Sequence, residues 1–148
     1  MDNAEITSLI VAIAKAHRSA LSETLRGLGL FIGQDILLVR VVDAGAASQK
    51  AVATALALDE ATVSESITKL ARAGLVERLR DEADRRAYRI VATDAGITVA
   101  ERVREAWAEC EATAVASLSD EQVATLRAAL TSVLVNLPPG WRHPRLPR

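Results

Sequence analysis

The chain has 148 residues, half of them hydrophobic but only 3% aromatic, with 18 Lys and Arg against 19 Asp and Glu. That is one domain's worth of sequence, long enough to bury roughly 70% of its unfolded surface. One cysteine excludes an internal disulfide, no run reaches the length of a membrane span, and Asp2 and Glu5 carry the wrong sign for a secretory leader, so a cytoplasmic protein is expected.

Apolar spacing predicts a first long helix from about Ile6 to Leu28. Ile6, Leu9, Ile10, Ile13, Ala14, His17, Ala20, Leu21, Leu25 and Leu28 trace one stripe, and Gly27 and Gly29 close it. That stripe is longer than a small domain core can cover. A second helix, about Gln34 to Val42, is apolar nearly all round and belongs at the centre. Asp43 to Ala47 read as a connection. A short third helix over Ser48 to Ala57 puts Val52 and Leu56 on one face, with Ala53 small enough for a close crossing. Asp59 suits the N-cap of a fourth helix whose Val63, Ile67 and Leu70 point inward and which stops at Gly74. Two helices joined by so short a turn form the unit that sets a helix into the DNA major groove.

The outward stripe of that fourth helix is Ala61, Thr62, Glu65, Thr68, Lys69 and Arg72. Docked by its N-terminal end, it would bring Ala61, Thr62, Ser64, Glu65 and Thr68 to base edges, and Lys69 and Arg72 to phosphates. Taken alone, an ordinary solvated face explains these residues equally well. The next segment tips the balance. Leu75 to Arg80 and Ala87 to Val91 read as two strands around the loop Asp81 to Arg86, and the segment holds Arg78, Arg80, Arg85, Arg86 and Arg89. Adjacent guanidiniums at a hairpin tip suit the narrow, negative minor groove, and Asp84 is placed to hold one of them in a fixed rotamer. From Ser48 to Ala92 there are eight cations against seven acids, a net +1. The DNA argument therefore rests on placement, and non-specific affinity should be modest.

Several stretches together resemble the multiple-antibiotic-resistance regulator (MarR) family. They are Leu56-Ala57-Leu58-Asp59-Glu60-Ala61-Thr62-Val63-Ser64, then Leu70, Gly74-Leu75-Val76-Glu77-Arg78, Asp84-Arg85-Arg86 and Thr93-Asp94-Ala95-Gly96, with Leu30-Phe31-Ile32-Gly33-Gln34 upstream. The resemblance runs from about Ile6 to Leu137, and the Asp-x-Arg at the wing at its distance from GLVER is its most specific part. It implies a bacterial winged-helix transcription factor that acts as a dimer and is released from its operator by a small molecule or by oxidation. Two positions depart from the family pattern. Ala57 stands where glycine is common, and Glu65 where a neutral or basic residue is common. A carboxylate in the groove repels phosphates unless it accepts from a cytosine N4 amino group.

Beyond the wing, Thr93 caps a long helix reaching about Leu118, with Ile97, Ala100, Val103, Trp107, Cys110, Ala114 and Leu118 on its stripe. Ser119 with Gln122 is a capping box for a last helix carrying Val123, Leu126, Leu130, Val133, Leu134 and Leu137. Pro138-Pro139-Gly140 then ends regular structure. The expected fold is mainly α with a small β-hairpin wing. It comprises a winged helix-turn-helix lobe at 31–96, dimerisation helices at 1–30 and 97–137, and a Pro/Arg tail at 138–148. Amphipathic end helices need a partner, and a second copy is the economical one, since a two-fold axis duplicates the DNA unit over a palindrome.

The resemblance further implies a ligand pocket between the dimer helices and the DNA lobe. His17, Phe31, Arg40 and Trp107 are candidate lining residues, with Arg40 suited to an acidic phenol or carboxylate. A histidine on an apolar stripe is more often an ordinary core or interface residue. Cys110 reads as a small buried hydrophobe rather than a redox sensor. His17, His143 and Cys110 lack metal-ligand spacing, and no phosphate loop or nucleophile motif is present, so no cofactor, metal or enzymatic activity is expected. The reading is a sequence-specific repressor that binds double-stranded DNA as a homodimer. The alternatives are a winged-helix protein-interaction module that does not touch DNA, and an activator that displaces other DNA-bound proteins.

Overall fold

The computed structural model describes residues 3–137; the Pro/Arg tail at 138–148 lies outside them. Six helices and three short strands follow in the order α1 (Asn3–Gly27), α2 (Gln34–Ala44), β1 (Ala47–Ser48), α3 (Gln49–Leu56), α4 (Glu60–Arg72), β2 (Val76–Arg80), β3 (Tyr88–Ala92), α5 (Asp94–Ala114) and α6 (Asp120–Asn136). This is the winged helix-turn-helix architecture that the sequence predicts. None of the described helices is long and apolar enough to cross a membrane.

The core gathers where the apolar stripes converge. Leu37, Leu38, Val39 and Val41 of α2 are buried against Val52 and Leu56 of α3, Val63, Ile67 and Leu70 of α4, and Ala100 and Val103 of α5. Leu21 and Leu25 are the buried side chains of α1. The rest of its stripe is not covered: every residue from 5 to 20 is exposed. Likewise α6 has no buried residue, and Leu126, Leu130, Val133 and Leu137 face outward.

The helix ends follow the local chemistry. Ser48, Asp59, Thr93 and Ser119 each accept a backbone N–H at the start of a helix, and Ser119 with Gln122 makes the complete capping box. Gly74, at φ 73°, ends α4 with the Leu75 N–H donating to the Leu70 carbonyl, the bond of a Schellman turn. Ala57 ends α3 in the same left-handed region, at φ 51° and ψ 42°, and among the described residues it is the non-glycine there. A Cβ in that conformation is strained. Ala57→Gly is therefore expected to raise stability by about 0.5–1 kcal/mol, after the greater unfolded-state freedom of glycine is subtracted. Chemical denaturation checks it; a lower midpoint for the variant would contradict it.

One strand is not visible in the sequence pattern. Ala47 and Ser48, read as part of a connection, pair antiparallel with Ile90 and Arg89, so the sheet order is β1-β3-β2. Two residues are too short to show an alternation, and only the pairing with β3 makes them a strand. The hairpin register sets Val76 opposite Ala92 and Arg80 opposite Tyr88. The long helix after the wing ends at Ala114 rather than near Leu118, and α6 begins after Ser119.

Candidate nucleic-acid interface

The outer face of α4 is built by its own caps and periodicity. With Val63, Ile67 and Leu70 fully buried, Ala61, Thr62, Glu65, Lys69 and Arg72 are exposed. Asp59 holds the helix start with both carboxylate oxygens: Oδ1 accepts the Thr62 N–H at 2.8 Å and Oδ2 the Thr62 hydroxyl at 2.6 Å. Those two bonds lower the pKa of the Asp59 carboxyl. Glu65 and Lys69 pair along the helix at 2.8 Å, and the ammonium lowers the pKa of Glu65. Both carboxylates therefore stay charged at neutral pH, and the pair leaves this face less basic than Lys69 and Arg72 alone would make it.

Ser64 and Thr68, expected at base edges, are half-buried. The Thr68 hydroxyl donates to the Ser64 carbonyl at 2.8 Å and accepts from Nη2 of Arg78 at 3.1 Å. The same Arg78 nitrogen lies 3.3 Å from the Ser64 carbonyl oxygen. Thr68 thus faces β2 rather than open solvent. Arg78 ties the hairpin to the middle of α4, a link that the sequence reading did not assign. The signal was available in β2: Val76, Arg78 and Arg80 alternate onto one face, and Val76 is buried.

The wing loop is held by short polar bonds. Asp81 Oδ1 accepts the N–H groups of Ala83 and Asp84 at 2.8 and 3.4 Å, and the Ala87 N–H reaches the Asp84 carbonyl at 2.9 Å. Asp84 Oδ1 accepts the Arg86 backbone N–H at 3.0 Å. The expectation that Asp84 holds an arginine side chain is thereby corrected: it shapes the backbone of the turn, a carboxylate two residues back being well placed for an Asx turn. Arg80 braces the loop from below, with Nη1 3.3 Å from the Arg85 carbonyl and its guanidinium 5.9 Å from the centre of the Tyr88 ring. Arg85 and Arg86 stay exposed at the tip. A recognition-type helix and an arginine-tipped hairpin are thus coupled through Arg78.

Comparison with known proteins supports this geometry. Residues 31–96, the span from Phe31 through the wing, match the winged helix DNA-binding domain family. The chain is 26% identical over 139 residues to the HTH-type transcriptional regulator YybA of Bacillus subtilis, covering 94% of this chain and 93% of that one. Its fold superposes on MepR from S. aureus, solved as a complex with DNA, with a TM-score of 0.80 at 27% identity, covering 88% of this chain and 97% of that one. The chain is thus similar, over most of its length, to transcription regulators of the MarR family. MarR itself, from E. coli and complexed with operator DNA as a mutant, matches in fold with a TM-score of 0.79 at 23% identity, over 88% of this chain and 94% of that one. The family is one of DNA-binding transcription regulators rather than enzymes.

The four candidate ligand residues lie on α1, on the segment ahead of α2, on α2 and on α5. His17 is exposed on α1, Phe31 is 71% exposed just ahead of α2, and Arg40 is half-buried on α2. Trp107 is buried in α5, where its indole N–H donates to Asp35 Oδ2 at 3.0 Å. Asp35, 3% exposed, also accepts the Gly33 N–H at 2.9 Å and so stitches the start of α2 to α5. The sequence reading passed over Asp35, although an acid in the first turn of an apolar helix is a cue for such a role. The indole N–H of Trp107 is therefore already engaged. Two shallow surface grooves run along α6, one lined by Asp120, Val123, Arg127 and Thr131 and the other by Leu118, Gln122 and Leu126. Among the described residues no group of three His, Cys, Asp or Glu could hold a metal ion.

Proposed function

We propose that the protein is a repressor that binds a palindromic operator as a homodimer, α4 entering the major groove and the wing the adjacent minor groove. The observation that carries this reading is the Arg78 link, which couples the exposed face of α4 to the hairpin bearing Arg85 and Arg86. In this arrangement Ala61, Thr62, Ser64 and Glu65 meet base edges, Lys69 and Arg72 meet phosphates, Arg85 and Arg86 meet the minor groove, and Thr68 and Asp84 act by positioning. The activator reading, in which the protein displaces other DNA-bound proteins, shares this interface.

Dimerisation through residues 1–30 and 97–137 is supported by apolar side chains left in solvent: Ile6, Leu9, Ile10 and Ile13 on α1, and Leu126 and Leu130 on α6. Exposed apolar area on that scale marks an interaction surface. Two copies set recognition helices roughly 34–36 Å apart, one turn of duplex. Sedimentation equilibrium is expected to give twice the chain mass. A gel-shift titration on a selected operator is expected to give one complex containing two chains. A monomer, or DNA affinity that does not fall steeply with salt, would favour the protein-interaction alternative.

For release, we place an acidic phenol or carboxylate near His17, Phe31, Arg40 and Trp107. The exposure of Phe31 and the charge of Arg40 on an apolar helix support that choice. Such a ligand is expected to lower operator affinity in wild type and to lose that effect in Arg40→Met; an unchanged response in the variant would remove Arg40 from the site.

A further inference from the structure

We propose that Asp59 fixes the hydrogen-bonding polarity of the recognition helix, so that Thr62 and Glu65 meet the major groove as acceptors only and select a base presenting an exocyclic amino group, cytosine before adenine. The inference rests on the DNA-reading role of α4 proposed above.

The Thr62 hydroxyl lies 2.6 Å from Asp59 Oδ2 while Oδ1 takes the Thr62 N–H at 2.8 Å. The Asp59 carboxyl is held ionised by these bonds and has no proton to give. The hydroxyl must then be the donor. A hydroxyl has one proton, so only its lone pairs remain for a ligand. Glu65 is an acceptor by its chemistry, and Lys69 at 2.8 Å keeps it charged. One turn further on, Thr68 repeats the arrangement: its proton goes to the Ser64 carbonyl, and Arg78 occupies a lone pair. Thr62, Glu65 and Thr68, at i, i+3 and i+6, therefore offer no proton to a base.

In the major groove guanine presents N7 and O6 and thymine presents O4, all acceptors, which a row of acceptors repels. Cytosine N4 and adenine N6 are donors. Adenine carries the acceptor N7 beside its amino group, and this ranks cytosine first against a carboxylate. Any guanine in the half-site falls to the cations at the other end of the helix, Lys69 and Arg72.

The test is binding-site selection from randomised duplex DNA with the full chain as wild type, Asp59→Asn and Thr62→Val. Asparagine caps a helix as well as aspartate and keeps an acceptor for the Thr62 N–H. Its amide NH2 would take the place of Oδ2, donate to the Thr62 oxygen and free the hydroxyl proton. Wild type is expected to select cytosine, then adenine, at one half-site position, by about tenfold over guanine or thymine. Thr62→Val should flatten that position, and Asp59→Asn should admit guanine or thymine there. A preference for guanine or thymine on the strand facing the helix, at the position that Thr62→Val flattens, would overturn the proposal. So would Asp59→Asn binding more weakly with an unaltered preference, the behaviour of a merely structural cap. If wild type selects no sequence at all, the DNA-reading role fails first and the inference falls with it.

Discussion

Gly96→Ala is expected to cost about 3 kcal/mol of folding free energy, at the upper end of what overpacking does. For a chain of this size that lowers the thermal midpoint by roughly 6–12 °C. A Cβ built on Gly96 would lie 1.9 Å from the Leu75 carbonyl oxygen and 2.9 Å from its carbon, well inside contact distance. Neither partner is free to retreat. The Leu75 carbonyl accepts the Thr93 N–H at 3.1 Å, and the Thr93 hydroxyl donates to the Gly74 carbonyl at 2.7 Å while accepting the Gly96 N–H at 3.0 Å. Gly96 is helical and not at positive φ, so the whole effect comes from contact, not from backbone strain. A thermal melt within 2 °C of wild type would mean that the joint between the wing base and α5 is looser than its geometry implies.

Arg86→Ala is expected to weaken operator binding by roughly 1–3 kcal/mol, the scale of one good arginine contact, or about 5- to 150-fold in Kd. Arg86 is exposed at the wing tip, where its backbone N–H is held by Asp84, so its loss should leave the melting temperature unchanged. Anisotropy titrations at fixed salt measure the effect, and a salt series locates the contact. A lost phosphate contact reduces the slope of log K against log salt by about 0.9. A slope that stays the same while affinity falls places the guanidinium against base or sugar edges instead. Wild-type affinity in the variant would remove the wing from the mechanism. Because Asp84 shapes the turn rather than the side chain, Asp84→Ala is expected to weaken binding through the same loop.

The residues that sequence reading placed correctly share a physical trait: their roles depend on neighbours three or four positions away. Asp59 caps α4, Ser119 and Gln122 close a capping box, and Val63, Ile67 and Leu70 face inward because helical geometry alone puts them there. The residues it missed have partners far along the chain. Arg78 meets Ser64 and Thr68 from 14 and 10 residues away, and Asp35 meets Trp107 from 72. No periodicity encodes such a pairing, since it exists only after the sheet and helices have packed.

Local chemistry thus settled the order of the helices and the caps that start α3 to α6, the inward and outward faces of α4, and the arginine-rich hairpin that pointed to the MarR family. Packing alone assigned Thr68 to the wing, turned Asp84 onto the backbone of its own loop and recruited Ala47 and Ser48 into the sheet. The division follows from range. A cap or an apolar stripe is complete within one or two turns of chain, whereas the polarity and orientation of a DNA-facing side chain depend on which distant donor or acceptor the finished fold leaves beside it.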